Sequence, residues 1–107
     1  GGNFIMYNRC YFSKGDFDIM RERLEEYVAK HKVVSRDDVL DNVFFVNKRG
    51  IKMTMNNRQL GFIVRYSERQ GGVTAFIHRR NREHHYYLTM LDNMKKFVGD
   101  DWNGYRK

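Results

Sequence analysis

Nine cationic side chains, Lys48, Arg49, Lys52, Arg58, Arg65, Arg69, Arg79, Arg80 and Arg82, stand in residues 48–82 against the single acid Glu68. The remaining residues hold eleven basic and twelve acidic side chains, so the whole net charge of +7 arises in that third of the chain. Solubility does not require such segregation, whereas a face that binds a polyanion does. Within the segment, Leu60, Ile63 and Val64 recur at helical i, i+3, i+4 spacing, and Arg58, Phe62, Arg65 and Arg69 recur at i, i+4, i+7, i+11. On one helix these make an apolar stripe and a basic stripe. A helix of that width enters the major groove of B-DNA, where Arg bonds a guanine edge and Asn or Gln an adenine edge. Asn57, Arg58, Gln59 and Arg65 are therefore the candidates for base edges or neighbouring phosphates, with Phe62 against a thymine methyl or sugar. Arg79, Arg80 and Arg82 place three guanidinium groups within four positions, suited to phosphates or a narrow minor groove. Lys48, Arg49 and Lys52 extend the same track.

The feature closest to an enzyme site is His78 with Glu83, His84 and His85. Adjacent strand residues point to opposite faces, so His84 and His85 do not ligate one metal together. His78 and His84 can approach across a hairpin, but two ligands do not complete a zinc site. The expected reading is hairpin histidines bonded to backbone or phosphate, and no metal, cofactor or catalytic residue is expected. Gly71-Gly72 lacks the Lys and Ser or Thr that make a phosphate-cradling loop. Cys10 has no second cysteine to pair with and reads as a half-buried strand residue.

Several elements must position these residues. Residues 3–12 alternate loosely and suit a strand or an extended arm. Ser13-Lys-Gly-Asp16 is a helix start, followed by Phe17, Met20, Leu24, Tyr27 and Val28 on one face of about four turns. Ser35-Arg-Asp-Asp38 opens a second helix of about ten residues, with Val39, Leu40, Val43 and Phe44 as its apolar face. Asn47-Lys-Arg-Gly50 reads as a turn, and Ile51, Met53 and Met55 alternate as a very short strand. Asn56 caps a third helix ending near Arg69, which Gln70-Gly-Gly72 terminates with the left-handed freedom of glycine. Residues 73–78 and 84–90 are rich in β-branched and aromatic side chains and form a hairpin whose polar tip is 79–83. In its second strand the pair Tyr86-Tyr87 divides between core and surface. Leu91, Met94, Phe97 and Val98 mark a last short helix, and residues from 99 onward, with Trp102 and Tyr105, form a tail.

Helix, short helix, third helix and basic-tipped hairpin, over roughly residues 16–90, resemble the winged helix-turn-helix family. Ser35-Arg-Asp-Asp-Val-Leu corresponds to the second helix and Asn56-Asn-Arg-Gln-Leu-Gly-Phe-Ile-Val-Arg to the recognition helix. Residues 79–83 correspond to the wing tip. The connection across residues 45–55 is longer than the tight turn usual in the family. The resemblance implies an α+β domain of three to four helices with a C-terminal β-hairpin wing. It also implies duplex DNA binding in transcription or replication control, without chemistry on the DNA. RNA binding is the alternative partner reading, and a small nuclease or nuclease accessory using His78, Glu83 and His84 is the alternative activity. A chain of 107 residues is the size of one domain, here residues 1–107. A homodimer or a protein partner fits the family's habit of dimeric binding. No apolar run approaches the roughly 20 residues that span a bilayer, so the expected setting is intracellular, in cytoplasm, nucleoid or nucleus, with no membrane partner.

Overall fold

The computed structural model describes residues 12–80 and 83–98, as a mixed α+β architecture of four helices and two small antiparallel sheets. Helix α1 (Lys14–His31) opens at Ser13, whose Oγ accepts a hydrogen bond from the Asp16 amide. Its three- and four-residue apolar spacing puts Phe17, Met20, Leu24 and Val28 entirely out of solvent. It ends at Lys32, which adopts φ 72° although it is not glycine.

The chain then forms β1 (Val33–Ser35), and Ser35 caps α2 (Arg36–Asn42) by accepting from the Asp38 amide. Helix α2 has seven residues, shorter than its apolar periodicity predicts. The run Val43-Phe-Phe-Val46 favours extended backbone, and Val43 already has φ −94° and ψ 118°. Phe44, expected on the apolar face of this helix, is instead 42% exposed.

Residues 45–53 form a small hairpin of β2 (Phe45–Val46) and β3 (Lys52–Met53), pairing Phe45 with Met53 and Val46 with Lys52. The predicted turn closes it. Asn47 Oδ1 accepts from the amides of Arg49 and Ile51, and Gly50 takes φ 79°. The long connection is thus a folded insertion with Phe45 and Met55 buried in the core and Met53 packed against it.

Helix α3 (Asn57–Arg69) begins at the predicted cap with a complete capping box. Asn56 Oδ1 accepts from the Gln59 amide, and Gln59 Oε1 accepts from the Asn56 amide. It ends in a Schellman motif, with the Gly71 amide donating to Glu68 O and the Gly72 amide to Ser67 O. The two glycines serve different purposes. Gly71 takes φ 81°, whereas a Cβ on Gly72 would collide with Ser67 Oγ and with Glu25 Oε2.

Strands β4 (Val73–Arg80) and β5 (Glu83–Met90) are longer than the sequence pattern predicts, because Arg79 and Arg80 continue the ladder and do not belong to a loop. Strand β1 joins the far edge of β5, giving the order β1-β5-β4. Helix α4 (Leu91–Val98) follows β5 directly and buries Met94. The core lies between this sheet and helices α1 and α3, with Leu60, Ile63, Val73 and Leu88 at its centre. Ser67, fully buried on α3, donates to Glu25 of α1 at 2.5 Å and accepts from the Val73 amide of β4 at 2.9 Å. The predicted N-terminal arm with Cys10, and the tail with Trp102 and Tyr105, lie outside the described residues.

Candidate nucleic-acid interface

The two stripes of α3 divide as its spacing requires. Leu60, Ile63, Val64 and Ser67 are buried, and Arg58, Arg65 and Arg69 are exposed on the opposite side. The stripe is less apolar than expected because its aromatics are occupied. Phe62 is half-buried against the core with the Arg58 guanidinium 5.9 Å from its ring centre. Tyr66 meets Phe17 edge to face at 5.4 Å and lies beneath Arg21.

Ion pairing separates the two ends of the chain's charge. Between described residues the ion pairs are Lys14–Asp18 and Arg21–Glu25, both within α1. No described carboxylate pairs with Arg58, Arg65 or Arg69, nor with Lys48, Arg49 or Lys52 of the β2–β3 hairpin. Lys48 and Arg49 stand exposed in its turn, while Lys52 lies 4.5 Å over the Phe44 ring and shields it.

Asn57 is exposed in the first turn of α3, but Gln59 beside it is committed to the cap through Oε1. Reading an adenine edge takes both ends of the amide, and in this conformation the Gln59 Oε1 already accepts from the Asn56 amide. Arg79 and Arg80 lie on β4, with side chains outside the described residues, as is Arg82 altogether.

The backbone register pairs His78 with His85 and Arg79 with His84, and the side chains of His78, Glu83 and His84 lie outside the described residues. Among the described residues no three His, Cys, Asp or Glu side chains gather closely enough to hold a metal.

Arg36 and Tyr86 belong to this surface and were not foreseen as part of it. The Arg36 guanidinium carbon lies 5.3 Å from the centre of the Tyr86 ring, at the point where β1 passes into α2. Burial raises the Tyr86 phenol pKa above its ordinary value, an effect that the charges of Arg36 and Arg65 oppose. Helix α2 thus brings one guanidinium group to a tyrosine on β5, and the charge of Arg65 on α3 also acts on it. The sequence holds one hint of this, an arginine directly after the cap Ser35, but its partner is 50 residues away. Of the aromatic pair, Tyr87 stacks on Phe76 across the ladder at 5.6 Å.

The chain matches no protein-family model, no curated protein and no solved structure. What the surface can do must therefore be argued from its own chemistry: exposed guanidinium groups on a rigid helix attract and orient a polyanion.

Proposed function

We propose that this chain binds duplex nucleic acid, DNA foremost, as a winged helix-turn-helix domain. Helix α3 enters the major groove and the β4–β5 hairpin lies along the backbone. The observation that carries the reading is the side of α3 on which Arg58, Arg65 and Arg69 stand exposed without a carboxylate partner among the described residues, while Lys14 and Arg21 of α1 are paired. Unpaired, co-facial arginines on a helix whose other side is locked in a core are placed for an external anion. Support for the fold reading comes from the succession of three helices and a hairpin, with Asn56 capping the third helix. The folded β2–β3 insertion accounts for the long connection without altering that succession. The role inferred is control of transcription or replication, through a homodimer or a protein partner and without chemistry on the DNA.

Fluorescence anisotropy with DNA and RNA duplexes of matched length, at one fixed salt concentration, tests it. The DNA duplex is expected to bind more tightly, and each of Arg58→Ala and Arg65→Ala to weaken it by about 1–3 kcal/mol where the side chain reads a base. Unchanged affinity in the Arg58→Glu, Arg65→Glu double variant overturns the reading in favour of a protein-docking surface. Tighter binding of the RNA duplex moves the partner to RNA.

A further inference from the structure

A polar cleft of about 150 Å³ opens where β1 leaves the sheet for α2, walled by Ser35, Arg36, Asp37, His85, Tyr86 and Tyr87. We propose that this cleft is a phosphate subsite, in which Arg36 grips one tetrahedral oxyanion. The phosphodiester of a bound nucleic acid is the source that the proposed function implies, and the inference rests on that function only for this source.

Arg36 is built for such a ligand. Its guanidinium carbon lies 5.3 Å from the centre of the Tyr86 ring, and its Nε is buried without a hydrogen-bond partner among the described residues. It makes no ion pair with a described residue. Arg21 also has a buried, unpartnered Nε, but its terminal nitrogen is satisfied by Glu25 at 2.9 Å. A guanidinium offers five donors in a rigid fork that matches two oxygens of a phosphate. The volume is an order of magnitude beyond the roughly 10–15 Å³ that a single water needs.

Charge points the same way. The walls hold one guanidinium, Arg36, and one carboxylate, the exposed Asp37, and the charge of Arg65 on α3 is also felt at Tyr86. Ser35 Oγ accepts the Asp38 amide and keeps its own O–H to donate. No aliphatic side chain lines the walls, which argues against an apolar ligand.

The test uses the full chain, labelled with ¹⁵N and titrated separately with sodium phosphate against chloride at constant ionic strength and with a DNA duplex. Saturable shifts of the Arg36 Nε–H and of the Ser35, Asp37 and His85 amides are expected in both. Arg36→Gln should abolish the phosphate response, and Arg36→Lys, which keeps the charge but loses the fork, should retain part of it. In the duplex titration Arg36→Gln should also lower the salt slope by about one unit. Phosphate binding without duplex binding supports the subsite as a free-phosphate site and overturns the proposed function. Duplex binding with an unshifted Arg36 Nε–H and an unchanged salt slope overturns the subsite and leaves the function standing. A phosphate response equal in Arg36→Gln and the parent chain also overturns it.

Discussion

Tyr86 couples burial to charge at one side chain. Its pKa is raised above the ordinary 10.0, chiefly because burial penalises the phenolate, with Arg36 and Arg65 pulling the other way. In the folded state the proton is therefore held more tightly than in the unfolded chain. Stability drawn from this group is fully present below pH 10 and declines as pH rises through the raised value. Tyr86→Phe should flatten the loss of stability above pH 10 relative to the parent chain, read by urea unfolding at a series of pH values. Gly72 is the second residue with a sharp consequence. A methyl group there meets Ser67 Oγ, Glu25 Oε2 and the Ser67 carbonyl, so Gly72→Ala should cost about 1–3 kcal/mol as an overpacking defect. Gly71→Ala tests the other purpose, since its strain is conformational and not steric. In the sequence the two glycines look alike as helix terminators. They are separated by the left-handed φ of Gly71 and by the packing of Gly72 against Ser67 and against Glu25, 47 positions away.

At the scale of elements, legibility followed locality. The limits of α3 could be read because Asn56, Gln59 and Gly71 act within one turn of each helix end. Asn56→Ala removes the acceptor for the Gln59 amide and should lower stability by about 1 kcal/mol without changing the fold, measured as a shift in thermal midpoint. The shorter α2 was not legible, because Val43 and Phe44 continue its apolar spacing while their β-branched and aromatic neighbours draw the chain into β2. Strand β1 was missed altogether. Three residues carry no periodicity of their own, and they become a strand by pairing with Leu88 and its neighbours across 54 positions. The β4–β5 ladder ran past the predicted tip because Arg79 and Arg80, read as loop residues from their charge, pair their backbones with His84 and Glu83.

For the whole molecule, the charge map was visible in the sequence and its meaning required the fold. Segregation of the +7 between residues 48 and 82 is a matter of counting. That Lys14 and Arg21 of α1 meet a carboxylate while Arg58, Arg65 and Arg69 of α3 meet none among the described residues depends on which carboxylates come near. The candidate site was therefore legible along α3 and illegible at Arg36 and Tyr86, which distant parts of the chain bring together. If α3 engages a duplex, the affinity should fall linearly with the logarithm of salt, by about 0.9 in slope for each phosphate neutralised. Reversing Arg58 and Arg65 together should reduce that slope by about two, whereas reversing Arg23 on α1 should leave it nearly unchanged. Anisotropy titrations between 50 and 200 mM salt would show both, at about the range where such slopes are best resolved.

The bond set around Ser67 has a further consequence for any partner of α3. Because one buried hydroxyl joins α3 to Glu25 and to the Val73 amide, tilting the C-terminal turn of that helix would break both bonds at once. If a ligand engages Arg58, Arg65 and Arg69 as proposed, the helix that carries them is already tied to α1 and β4. Little ordering entropy is then left to spend on association, and the encounter resembles two cast objects meeting, with adjustment confined to the outer ends of the arginines.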